Sequence, residues 1–126
     1  MTATQSSTYG NETTQFGAGN CIDGVTGPMD SNGHLRICHT NFNTTAPWIA
    51  IDFGASNHPA TVTVQRVELF HRQGYGNRTR NVDVRITNEL PTSDSKMFSG
   101  GTLLGHFAGP ATDDGQHIII SGQAQL

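Results

Sequence analysis

The chain is a succession of short apolar alternations, each closed off by Gly, Pro, Asn or Asp, and no window sustains a helical period. Residues at every second position share one face of a strand, whereas a helix repeats its apolar residues at three- and four-residue spacing. Asn81-Val82-Asp83-Val84-Arg85-Ile86-Thr87 alternates cleanly. Ala46-Pro47-Trp48-Ile49-Ala50-Ile51-Asp52-Phe53-Gly54 places Ile49, Ile51 and Phe53 on one face. Thr61-Val62-Thr63-Val64 runs on through Gln65 to Phe70. Its apolar phase slips by one residue between Val64 and Val67, as a β-bulge or a change of sheet would cause. Leu103 to Phe107 and His117 to Ile120 add two more strands. So many short strands predict an all-β antiparallel sandwich or barrel, with binding residues on the loops gathered at its ends.

A length of 126 residues fits a single domain over 1–126. Only 13% of the residues are charged, and Ser, Thr, Asn and Gly are abundant, so surface contacts run through hydroxyls and amides. A net charge of -3 offers no field for nucleic acid or an anionic membrane, and Lys96 is the only lysine. No apolar run reaches membrane-spanning length, so no membrane insertion is expected. The N-terminus has neither the charged start nor the apolar stretch of a signal peptide; a secreted protein would be seen here in its mature form. Cys21 and Cys38 are the only cysteines. Pairing them in an extracellular protein would close a loop worth about 3 kcal/mol, and two buried free thiols are the alternative. Asn11-Glu12-Thr13, Asn43-Thr44-Thr45 and Asn77-Arg78-Thr79 are N-glycosylation sequons.

Catalytic constellations are absent from the pattern. Glycoside hydrolysis needs two facing carboxylates, and Asp52 and Asp83 fall on strands opposite apolar neighbours, which makes them surface residues. No serine stands in a nucleophile elbow, and Cys38-His39 are neighbours in sequence, which does not make a dyad. The six histidines lack tight zinc-ligand spacing. The first 45 residues are rich in turn residues and poor in strand pattern. Within them Asn20-Cys21-Ile22-Asp23-Gly24 offers amide, carboxylate and carbonyl oxygens of the kind Ca²⁺ takes, or else a plain Asx-turn on Asp23.

Sugar recognition fits better. Arg72 and Arg78 flank the turn Gln73-Gly74-Tyr75-Gly76-Asn77, and His39 lies upstream in Cys38-His39-Thr40-Asn41. An arginine fork carries five donors that span neighbouring hydroxyls, and neutral imidazole offers one donor and one acceptor. Tyr75, His34 or Phe42 would cover the apolar C–H face of a sugar.

The order of segments resembles the F-type lectin, or fucolectin, family of the discoidin superfamily over nearly the whole chain. The segments that carry this are Ala3-Thr4-Gln5-Ser6-Ser7-Thr8-Tyr9-Gly10, Asn20 to Gly24, Cys38-His39-Thr40-Asn41, Ala46 to Phe53, the arginine pair and Arg80 to Ile86. The Cys-His-Thr segment together with the two arginines points to F-type lectins in particular.

The resemblance implies a jelly-roll β-sandwich that binds terminal L-fucose on glycans and catalyses nothing. Carried over, His39, Arg72 and Arg78 bond the ring oxygen and the 3- and 4-hydroxyls, while the C6 methyl enters an apolar pocket. It also implies a structural Ca²⁺ held by Asn20, Asp23 and the Val25 carbonyl, and an extracellular, secreted setting. The family commonly has an aspartate where this chain has Gly74, and often adjacent cysteines in the turn that here reads Gly74-Tyr75-Gly76. Tyr75 is therefore expected to stack on the sugar in their place. Gly74 leaves room for a module that takes galactose or another glycan, and other discoidin relatives bind protein or lipid. The family's usual first and last strands are expected to be missing, the last of which carries a partner for the Cys38 position and a calcium glutamate. That favours a Cys21–Cys38 pair, and free sheet edges favour a homo-oligomer.

Overall fold

Val82, Val84 and Ile86 turn to one side of their strand because side chains alternate along it, and that side is where the core forms. The computed structural model describes residues 1–54, 62–89, 100–112 and 117–125. Its chain divides into two units, residues 1–54 forming the described part of the first and the remaining described residues the second. The architecture is all-β, with antiparallel two-stranded sheets and little helix.

In the second unit β3 (Thr63–Phe70) pairs with β6 (His117–Gln125), and β4 (Val82–Ile86) pairs with β5 (Thr102–Phe107). The β3–β6 register breaks between Val64 and Arg66, where the slip in apolar phase predicts it. The break lets Val64 and Val67, three residues apart, both pack on the core made by Ile86, Leu104 and Ala124. A second cluster joins Ala111, Ile118 and Ile120 to Leu69, Val82, Val84 and Phe107, so Val84 ties the clusters together. Ile120 is 4% exposed, so Ile120→Ala is expected to cost about 2–5 kcal/mol. Close approach of β5 and β6 depends on Gly105, where a Cβ would lie 2.6 Å from Ile120 Cγ2. β6 continues to Gln125, well beyond the His117–Ile120 run that its apolar residues mark.

In the first unit β1 (Thr2–Gln5) pairs antiparallel with β2 (Ile49–Asp52), setting Ala3 opposite Ile51 and Gln5 opposite Ile49. Ile49 and Ile51 share a face as expected, yet stay 42% and 41% exposed. A single helical turn, α1 (Thr13–Phe16), is capped by Glu12, whose side chain accepts the Thr14 N–H at 2.9 Å. Cys21 and Cys38 form a disulfide with Cα atoms 5.4 Å apart, inside the span such a bond bridges. No helix among the described residues is long and apolar enough to cross a membrane. The strand start at Thr61 and the lysine at Lys96 lie outside the described residues.

Candidate functional site

Arg72, Tyr75 and Arg78 are spaced three and three, and the main chain between them turns with that period. The Tyr75 N–H donates to the Arg72 carbonyl at 3.2 Å, and the Arg78 N–H donates to the Tyr75 carbonyl at 3.0 Å. Residues three apart in such tight turns stack over one another. Here both arginine side chains come over the tyrosine ring, with guanidinium carbons 4.1 Å (Arg72) and 4.5 Å (Arg78) from its centroid. Each such contact is worth about 0.5–1 kcal/mol where solvent reaches it. Stacking occupies the flat face of a guanidinium; the in-plane N–H fork is a separate surface, suited to paired oxygens.

The neighbouring residues fix this turn. Gly74 takes the left-handed conformation at φ +77°, which glycine adopts without strain. Gly76 is buried, and a Cβ there would stand 2.5 Å from the Ala111 carbonyl oxygen. Arg80 grips the Asn77 carbonyl through Nε at 2.7 Å and Nη2 at 2.5 Å, and the Ala111 N–H donates to the Thr79 carbonyl at 3.1 Å. Asn77 is exposed beside Arg78, so a glycan on that sequon would stand next to the stack.

His39 belongs to the first unit, whereas Arg72, Tyr75 and Arg78 belong to the second. Its ring packs among Tyr9, Phe16 and Phe42 at centroid distances of 5.0, 5.8 and 5.6 Å. Nδ1 lies 2.6 Å from the Thr40 carbonyl oxygen, which only accepts, so Nδ1 carries the proton and Nε2 of the neutral ring is an acceptor. Gln5 fastens the segments that present this ring. Its amide NH₂ donates to the Phe16 carbonyl at 2.9 Å and the His39 carbonyl at 3.5 Å. Phe42 is 67% exposed at the edge of the cluster, an apolar surface of the sort a sugar C–H face packs on.

His34 is held otherwise. Asp30 organises its loop by accepting the Asn32 and His34 backbone N–H groups, each at 2.9 Å, and Arg36 Nε at 3.3 Å. The His34 ring stands out in solvent with Nδ1 3.6 Å from Asp30. The His34 backbone N–H is the first cause holding the Asp30 carboxyl below its usual range, ahead of partial desolvation, which opposes it.

Asn20, Asp23 and Val25 fall within one short stretch of the first unit's sequence. The Asn20 amide nitrogen donates to the carbonyls of Thr14, Gln15 and Ile37 at 3.2, 2.9 and 3.3 Å, so it ties α1 to the Cys38 segment. Asp23 Oδ1 accepts the Val25 N–H at 2.8 Å, the Asx-turn that its sequence allows. Together these residues provide an amide oxygen, a carboxylate and a backbone carbonyl, three of the six to eight oxygens of a Ca²⁺ shell. Among the described residues no group of three or more His, Cys, Asp or Glu is placed to hold a metal.

Comparison of the chain with protein-family models, with curated proteins and with solved structures finds no match.

Two contributors to the arginine turn carry no signal in the sequence. His71 points Nδ1 at the Arg72 carbonyl, 3.2 Å away, so that one oxygen takes both the His71 ring N–H and the Tyr75 N–H. His71 Nε2 is buried with no hydrogen-bond partner among the described residues. Ala111 and Thr112, distant in sequence, form the backbone wall on which Gly76 rests. Only a signal for backbone packing at Gly76 would have pointed to them.

Proposed function

We propose that this chain is a non-enzymatic carbohydrate-binding domain of the F-type lectin kind, a jelly-roll sandwich that takes terminal L-fucose. The observation that carries this is the stack of Arg72 and Arg78 on Tyr75, which holds two donor forks on one short turn. Adjacent ring hydroxyls are the neutral groups that such forks serve. The resemblance in segment order adds His39, whose Nε2 is free of the Thr40 bond and suited to accept a hydroxyl proton. It also adds a structural Ca²⁺ with Asn20, Asp23 and Val25 among its ligands. The Cys21–Cys38 disulfide suits an oxidising, extracellular compartment. Weak single sites of this sort gain by multiplicity, so a homo-oligomer on a fucosylated surface is part of the proposal.

Calorimetric titration with L-fucose tests it. Wild type is expected to bind with Kd on the order of 0.1–1 mM, roughly 4–5 kcal/mol. Arg72→Ala and Arg78→Ala are each expected to weaken binding by about tenfold or more, the loss of a charged multi-donor group. Equal fucose titration by either variant sinks the site. Gly74, where related lectins have an aspartate, favours galactose or another glycan as the second reading. Galactosides binding while fucosides fail would establish it.

A further inference from the structure

We infer that Tyr75 is a positioning residue: its ring gathers the Arg72 and Arg78 guanidiniums into one donor cluster and does not itself stack on the ligand. This rests on the sugar-binding function proposed above, and it changes the role that the sequence suggests for Tyr75.

Two like charges on one short turn repel each other and, as long side chains, have many rotamers to choose from. Something must offset both tendencies if they are to present a fixed array. The Tyr75 ring does so twice over, with the guanidinium carbons 4.1 and 4.5 Å from its centroid. A π-face attracts a cation through its quadrupole, and the ring has no charge of its own to neutralise the donors. A carboxylate in this place would instead consume N–H groups by hydrogen bonding. Gly74, the neighbour of Tyr75 in the turn, carries no side chain that could do so.

The backbone shows the same design. Tyr75 is the central member of both turns, bonded through its N–H to Arg72 and through its carbonyl to Arg78. The Arg72 carbonyl is held again by the His71 ring. Gly76, the next residue, is buried against the backbone of Ala111 and Thr112. A ring face covered by a guanidinium is closed to a sugar, so sugar contact passes to the arginine edges.

Tyr75→Phe keeps a π-face, and Tyr75→Leu keeps apolar bulk without one. Three readouts separate position from contact: the arginine Nε–H proton resonances of the unliganded protein, moved upfield by the ring current where position 75 is aromatic, the order of the same Nε–H groups by 15N relaxation, and L-fucose affinity. Tyr75→Phe is expected to keep both arginine resonances upfield and to hold affinity within about threefold. Tyr75→Leu is expected to release both arginine Nε–H groups to fast motion and to lose affinity by about tenfold, with a melting temperature lower by a few degrees as the two ring contacts are lost. Affinity lost in Tyr75→Leu while both arginine Nε–H groups stay ordered would overturn the inference, since Tyr75 would then touch the sugar directly. Equal loss in both variants would overturn it as well, in favour of a hydroxyl contact. Should the wild type bind no fucoside, the sugar-binding function falls and the resonances still decide the stack: ordinary positions in the wild type refute it.

Discussion

Tyr9 and His39 are joined twice: the Tyr9 N–H donates to the His39 carbonyl at 2.9 Å, and the two rings pack with centroids 5.0 Å apart. The imidazole is therefore a packing element as well as a polar one. His39→Phe separates these roles. It keeps a ring among Tyr9, Phe16 and Phe42 but removes the hydrogen bond to Thr40, at a cost of about 1 kcal/mol by chemical denaturation. L-Fucose affinity is expected to fall by about tenfold, the value of one hydrogen-bonding partner. Unaltered affinity would leave His39 with packing alone.

Gly74 and Gly76 flank Tyr75 and will respond differently to alanine. Gly74 sits at φ +77° with nothing within 4 Å of a new Cβ, so Gly74→Ala is expected to cost only the left-handed strain, about 1–2 kcal/mol. Gly76→Ala drives a methyl against backbone oxygens of Ala111 and Thr112 that no side-chain rotation relieves. The turn must move, with a stability loss of about 3 kcal/mol and a weakened arginine array. Denaturation midpoints for the pair check the order, and a harmless Gly76→Ala would mean that this wall yields.

The second unit was largely legible in the sequence, because a strand with one buried face records its own pleat. The slip between Val64 and Val67 marks the register break, and Val82, Val84 and Ile86 mark a core face. What stayed hidden depends on partners distant in sequence. Thr2–Gln5 is polar and reads as a turn-rich leader, yet it becomes a strand because β2 offers it a ladder. The Ser121–Gln125 half of β6 lacks β-branched residues, yet Gly122 and Ala124 are small enough to lie against Leu104 and the core. At the site, the paired arginines are visible as spacing. Their approach to the Tyr75 ring follows from turn geometry, which spacing alone does not record. Cysteine pairing was open until the backbone set the two Cα atoms 5.4 Å apart.

The disulfide closes a short loop from Cys21 to Cys38, immediately before His39. Reduction, or the double change Cys21→Ala and Cys38→Ala, is expected to cost about 3 kcal/mol through unfolded-state entropy. Melting with and without reductant measures it, and identical curves would show that the bond adds nothing. The same loop holds Asp23 and Val25. Calcium is expected to raise the melting temperature of wild type and not that of Asp23→Ala, as mass action on the folded state requires. Melting indifferent to both calcium and chelator would remove the ion from the proposal.

Asp83 and His106 are register partners across β4 and β5, and His106 Nδ1 lies 2.7 Å from an Asp83 oxygen, with Arg85 3.5 Å from the other. The His106 hydrogen bond is the first cause that holds the Asp83 carboxyl below 3.8, ahead of desolvation, which opposes it, and of the Arg85 charge, which adds to it. A carboxyl whose folded value is depressed binds its proton less readily in the folded than in the unfolded chain, so stability falls as pH falls. The contribution is fully present above the unfolded value of 3.8 and fades as pH drops through the lower folded value. Solvent reaches both partners, which limits it to about 1 kcal/mol or less. Asp83→Asn is therefore expected to be less stable than wild type near neutral pH, with the gap closing in acid. Denaturant titrations of the two proteins at about pH 6 and about pH 3 measure that gap. A gap that stays constant between them would show that the Asp83 charge contributes nothing to the fold.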